Sequence, residues 1–245
     1  MKHLFKEKIV GNKRLSDLKK FYLIIEKLEN KNIQKNLLSK SNGRQEWPTK
    51  GVYFFFEETE KRIDSGNGLR VTRVGTHAVK ENSKRTLWNR LSDHKGTIKT
   101  GGGNHRGSIF RLLIGTAIIR NKNLNFPTWG KGNSAKKYIK DNELGLERLV
   151  SRTIGDMPFL YISIDDKSSK NSLRAYIEKN SIALLSNYNK NILDSASKDW
   201  LGNNCNREKV RNSGLWNNNY VDEIYEPAFL NIFEKLVDEM KVKVQ

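Results

Sequence analysis

"GVYFFFEE", residues 51–58, is the stretch whose reading decides the fold. It is a run of strand-forming aromatic and branched residues after a glycine, with apolar side chains on successive positions, as in a strand covered on both faces. Side chains alternate across a strand, so Val52, Phe54 and Phe56 point one way and Tyr53 and Phe55 the other. Both sets are apolar, which places the strand between two layers. A buried Tyr53 hydroxyl must then find a polar partner.

Working outward, "EKRIDSGNGLRVTRVGT" (60–76) supplies a turn rich in Gly, Asn and Asp and then a second strand over Leu69–Thr76, so the two form an antiparallel hairpin. "TLWNRLSDHKG" (86–96) follows as a helix, with Asn82 or Ser83 as the candidate cap. "KGTIKTGGGNHRGS" (95–108) breaks that helix with five glycines, and "SIFRLLIGTAII" (108–119) reads as a third strand. Beyond it come a helix near Glu143–Ile154, an apolar strand "MPFLYISI" (157–164), a helix from Asn171 to about Ser186 and a final amphipathic helix over Ala228–Met240. Upstream, Leu15, Leu18, Tyr22, Ile25 and Leu28 recur at helical spacing, followed by a short second helix and a polar linker to Pro48. The expected fold is α/β (α+β): a small, mainly antiparallel, three-stranded central sheet flanked by helices. Residues 1–47 form a helical N-terminal extension, 48–191 the main domain and 192–245 a C-terminal extension.

Charge narrows the partner. Lys and Arg number 45 against 27 Asp and Glu, a formal net charge of +18, and such a surface seeks polyanions. Nucleic acid fits best, because basic side chains release counterions from its phosphates. A membrane is disfavoured: no segment approaches the roughly 20 apolar residues of a span, and no lipidation motif or basic amphipathic helix with a bulky apolar face is present. The single Cys205 excludes an internal disulfide and fits a reducing compartment, and the N-terminus carries no sustained apolar leader, so a cytoplasmic location is expected.

The chemistry-bearing residues gather in the main domain. On the 86–96 helix, Leu87, Trp88 and Leu91 make an apolar stripe with His94 at its edge and Arg90 just beyond. Taken alone, that pair reads more simply as a half-buried histidine beside a surface arginine. Three of the four histidines, however, His77, His94 and His105, fall within one hairpin, helix and loop segment. The basic, glycine-rich loop after the helix, with Lys95, Lys99, Asn104, His105 and Arg106, has backbone bare enough to wrap a phosphate, and these five are its candidate substrate contacts. Glu178 sits on a second apolar facet of the 171–186 helix and needs a cation, either a metal or Arg174 one turn back. Trp200 and Trp216 read as core plugs before stacking platforms.

In this order, a strand with Gly51-Val52-Tyr53, a strand with Arg73-Val74-Gly75, a helix with Arg90 and His94, and a later helix with Glu178 followed by Asn187 or Asn189, the chain resembles the GIY-YIG nuclease superfamily over roughly residues 50–191. The resemblance implies a metal-dependent DNA endonuclease acting on double-stranded DNA with Mg²⁺, for which Mn²⁺ is the candidate substitute. Tyr53 would accept or relay a proton from water, with His94 adjusting the phenol. Arg90 would bind a nonbridging phosphate oxygen, Glu178 would ligate the metal, and Asn187 would support it. The tyrosine of the second motif is replaced by Arg73, and His77, just past that motif, is a candidate substitute. The alternatives are a nucleic-acid-binding protein with a decayed site, marked by Arg73, and an RNA-directed nuclease.

Overall fold

A computed structural model describes residues 2–32, 35–97 and 99–241. The main elements are α1 (Lys2–Lys31), β1 (Asn36–Leu37), β2 (Gly51–Lys61), β3 (Leu69–Gly75), α2 (Leu87–Lys95), α3 (Ile109–Asn121), α4 (Lys137–Gly155), β4 (Pro158–Ser163), α5 (Leu173–Leu185), α6 (Glu208–Ser213) and α7 (Phe229–Glu239). Among the described residues, no helix is long and apolar enough to cross a membrane.

The sheet has four strands in the order β1-β4-β2-β3, all neighbours antiparallel. A three-stranded sheet was expected; β2, β3 and β4 lie where strands were expected, and β1 is the addition. The two-residue β1 joins β4, and the segment expected as the third strand, 108–119, is helix α3. Ser108 caps α3 by accepting from the Arg111 amide at 3.3 Å. α3 is apolar on nearly every side because helices and turns enclose it, so no helical stripe shows in its sequence.

The hairpin and the two layers follow the pattern of β2. Val52, Phe54 and Phe56, with Leu160 and Ile162 of β4, pack under α1, α5 and α7, where Phe21, Ile177 and Phe233 are fully buried. Tyr53, Phe55 and Phe159 face the other way, under α2, α3, α4 and the two indoles Trp200 and Trp216. The segments expected as extensions therefore build the same cores as residues 48–191: α1 and α7 close the first layer, and 200–216 seals the second.

The pairing of β2 with β3 slips between Phe55 and Phe56, so Thr72 is the extra residue of a bulge. Val71 and Val74 both reach the first layer as a result, while Arg73 stands opposite Phe55 on the second. The outer edge of β3 is covered by residues 216–217. The Trp216 amide donates to the Thr72 carbonyl at 2.7 Å, and the Asn217 side chain brackets the Val74 amide and carbonyl at 3.1 and 2.9 Å. This blunts an edge that would otherwise pair with another chain.

Candidate active site

Tyr53 and Gly75 lie directly opposite one another across the hairpin. A Cβ at Gly75 would come within 2.3 Å of the Tyr53 hydroxyl, so the second-motif glycine exists to let the phenol ring lie across β3. Gly51 is needed for the close approach of β2 to β4, because a Cβ there would meet the Ile162 carbonyl oxygen at 2.3 Å.

The phenol is fully buried and its hydroxyl meets His94 Nε2 at 2.8 Å. His94 projects from α2, whose N-terminus is held by a reciprocal capping pair of Thr86 and Asn89 and not by Asn82 or Ser83. On its other side, His94 Nδ1 meets Ser108 Oγ at 2.8 Å. Ser108 Oγ already accepts from the Arg111 amide and has a second lone pair for Nδ1–H. That leaves Nε2 free to accept from Tyr53, so we assign His94 the Nδ1–H tautomer. Burial, together with Arg90, Arg73 and Arg111, drives the His94 pKa well below its usual range, and the ring is neutral at rest.

Arg90, one turn earlier on α2, is half-buried and donates to the Gly107 carbonyl at 3.3 Å; Asp93 lies 3.8 Å from its guanidinium. Arg73 is buried, with its guanidinium 4.5 Å over the Phe110 ring, and donates through Nη1 to the Trp216 carbonyl. Its Nε is buried with no hydrogen-bond partner. Burial lowers the Arg73 pKa, an effect that the adjacent Tyr53 opposes. Two guanidinium groups and one phenol thus crowd one corner of the sheet.

Glu178 reaches that corner from α5. Its Oε1 accepts from the Thr76 amide, just past β3, at 3.0 Å. Burial raises its pKa from 4.5 to about 6 against the Thr76 bond and the pull of Arg73, Arg90 and Arg174. Arg174 is not its ion-pair partner, because that guanidinium is fixed on Asp166 at 2.5 Å and on the His77 carbonyl. Among the described residues no three His, Cys, Asp or Glu side chains converge on one point, so an all-protein metal cage is absent. A single carboxylate with one oxygen turned to a backbone amide fits a hard cation that keeps most of its ligands as water and phosphate oxygen, which is the habit of Mg²⁺.

Several residues singled out from sequence are occupied elsewhere. His77 is buried, with Nε2 3.3 Å from the Thr49 carbonyl, Nδ1 unpartnered and its pKa lowered to about 4 by burial and Arg174, so it is an uncharged ring beside the site. Asn187 spends its amide on Leu193 and Arg14, at 2.9 to 3.1 Å, and so fixes the 187–193 turn. Lys95 donates to the Ser39 and Ser41 carbonyls, and Asn104 caps the turn that follows it by accepting from the Arg106 amide at 3.1 Å. His105 is buried against Glu147 at 2.9 Å, and Arg106 clasps Glu143 through two bonds of 2.6 and 2.9 Å. Of the five loop contacts expected for substrate, only Lys99 is exposed without a bond of this kind. The loop glycines serve packing: a Cβ at Gly103 would come within 2.3 Å of the Arg111 guanidinium, and one at Gly102 within 2.7 Å of Leu144.

The fold also brings in residues that no sequence motif marks. Ser108 completes the His94 contact, and Tyr220 lies near enough to Glu178 for the carboxylate, after burial, to raise the phenol pKa. Ser108 is signalled as a helix cap, but the apolar run that follows it has the pattern of a strand. Trp200 and Trp216 are core plugs as expected, and both indoles donate to one oxygen of Glu57, at 2.9 and 2.8 Å.

Neither a curated protein nor a solved structure matches the chain. The family described as "GIY-YIG domain" matches it over residues 12–243, nearly its whole length and well beyond the stretch that carries the motifs. With Tyr53 and the second-motif Gly75 paired across one hairpin, Gly51 heading the first strand of it, and Arg90, His94 and Glu178 arriving from two flanking helices, the chain belongs to the GIY-YIG nuclease superfamily.

Proposed function

We propose that the protein is a Mg²⁺-dependent DNA endonuclease. The observation that carries this reading is the convergence of the Tyr53–His94 pair, two guanidinium groups and the Glu178 carboxylate at one end of the β2–β3 hairpin. Phosphodiester hydrolysis needs a base for water, positive charge around the phosphorus and help for the leaving oxygen.

Each need has a candidate in this chain. The water oxygen forms the new bond to phosphorus while the bond to the 3′ oxygen breaks. The Tyr53 oxygen takes the proton of that water as its own proton passes to His94 Nε2, which the Ser108 contact keeps unprotonated. His94 is buried and disfavours charge, so it holds the proton only transiently and returns it through Tyr53 to solvent, from which the departing 3′ oxygen takes a proton to become the hydroxyl. Arg90, half-exposed at the rim, offers its forked donors to a nonbridging oxygen. Arg73, standing where relatives carry a second tyrosine, adds positive charge beneath that oxygen and has a spare Nε–H to give. Glu178 would hold the cation, which when bound supplies charge neutralisation at the leaving oxygen.

Incubating the protein with supercoiled plasmid tests the reading. Nicking or linearisation that needs Mg²⁺ and stops with EDTA is the expected result. Salt-sensitive binding with no cleavage under Mg²⁺ or Mn²⁺ would instead leave a nucleic-acid binder in which Arg73 marks a lost activity, and cleavage confined to RNA would move the substrate class.

A further inference from the structure

The pair His105 and Arg106 is built into a brace, and what it braces is an exposed basic loop. The His105 ring stacks on Trp129 with centroids 3.7 Å apart, and its Nε2 accepts from the Gly130 amide at 3.1 Å. Besides clasping Glu143, the Arg106 guanidinium donates to the Thr128 and Lys131 carbonyls, each at 3.3 Å, and the Thr128 hydroxyl donates to Glu143 at 2.8 Å. The Arg106 and Glu143 side chains are 3% and 2% exposed. A buried ion pair adds little net stability over apolar packing, because desolvation offsets its attraction. Its use here is geometric: it fixes both ends of the segment leading to residue 131.

Beyond the brace the loop and the first turn of α4 bury almost nothing. Lys131, Asn133, Ser134, Lys136 and Lys137 are exposed, and Tyr138 is 62% exposed. Gly130 and Gly132 hold it open with φ of +78° and +68°. Residues 130–140 contain no acidic side chain, and Asp141, the next one, pairs with Lys137. The brace rises from the same 105–107 turn whose Gly107 carbonyl receives the Arg90 guanidinium. The loop and the candidate phosphate clamp are therefore set by one turn.

We propose that residues 130–138 grip the nucleic-acid backbone beside the scissile phosphate, with Lys131 and Lys136 neutralising flanking phosphates. This rests on the nucleic-acid reading above and adds where the strand runs: from Arg90, over the 105–107 turn, to the loop above α4. The contacts that the sequence assigned to His105 and Arg106 pass to the side chains they support.

Binding of a labelled DNA duplex, followed by fluorescence polarisation over a salt series without divalent cation, tests it. The double variant Lys131→Gln/Lys136→Gln should bind about tenfold more weakly near 0.1 M salt, and its log K against log salt should be shallower by about 2. The control Lys19→Gln/Lys235→Gln removes equal charge from α1 and α7, on the far side of the sheet, and should stay within about threefold with the slope unchanged. Glu143→Gln, which keeps every lysine but loosens the brace, should lose affinity in the same direction, with thermal unfolding confirming that it is folded. A loop variant indistinguishable from the control overturns the proposal and leaves the nuclease reading intact. A wild type that binds in this way but never cuts removes the nuclease reading and leaves the grip, and one that binds no nucleic acid removes both.

Discussion

Tyr53 and Phe54 are neighbours on β2 and face opposite layers, and the layers differ in kind. Phe54 points into a mainly apolar cluster, ringed by Phe21 and Phe233 with centroids 6.1 and 5.5 Å away. Tyr53 points into a layer threaded by hydrogen bonds, through His94 and Ser108 to the first turn of α3, and on through Arg111, which ties the His94 carbonyl (2.7 Å) to Glu147 on α4 (2.9 Å). One layer gives cohesion, the other holds polar groups where burial strengthens their electrostatics. Substitutions one residue apart should therefore separate folding from chemistry.

The largest expected effect is on that pair. Tyr53→Phe keeps the ring and removes the hydroxyl, so single-turnover cleavage should fall by about 10³ while stability drops by only about 1–3 kcal/mol. Phe54→Ala should do the reverse, costing about 3–5 kcal/mol in chemical denaturation while the folded fraction cuts at close to the wild-type rate. Arg90→Ala comes next: losing one preorganised donor should slow cleavage by about 10²–10³. A loss below about threefold would make that guanidinium a bystander.

Smaller effects sharpen the contrast. The Glu178 carboxyl titrates at about 6 in the folded chain against an ordinary 4.5. Between those values the folded state binds more protons than the unfolded one, so this group lowers stability as pH rises, and a cost of up to about 2 kcal/mol is fully present above the window. Glu178→Gln should remove that slope, read as the wild-type-minus-variant difference in denaturation free energy; taking the difference cancels His77, whose lowered pKa acts in the opposite sense. Smallest is the Ser108 contact. Ser108→Ala should slow cleavage about tenfold and move its pH profile, because His94 loses the partner that sets its tautomer, whereas Ser108→Thr keeps both the cap and the acceptor and should restore the rate. An alanine variant that loses only stability would make Ser108 a helix cap and nothing more.

The two layers were not equally legible in the sequence. The β2–β3 hairpin, α2 and the placement of Tyr53, Arg90, His94 and Glu178 could be read because alternation, turn residues and the order of motifs are local signals. α3 could not, because a helix enclosed on all sides has the same apolar run as a buried strand; its length, its serine cap and Arg111 were the discriminating signs. Basic residues among glycines have the composition of a phosphate cradle, and composition cannot distinguish a ligand from a brace. The acids that decide it, Glu143 and Glu147, lie some 40 residues downstream. Asn187 occupied the expected position after Glu178, yet the fold uses it to fix a turn, while Asn217, far outside the motif order, is the amide that seals β3 beside Arg73. Such roles depend on tertiary pairing and leave no local trace.

The claim on which all of this depends is that Glu178 meets the Tyr53 and Arg90 side chains around one scissile phosphate. The direct measurement is single-turnover cleavage of DNA by Glu178→Gln at saturating duplex with Mg²⁺, alongside duplex affinity in metal-free buffer. The expected result is loss of cleavage by about 10³ or more with affinity within about threefold of wild type. Cleavage at the wild-type rate by a folded Glu178→Gln protein would contradict it.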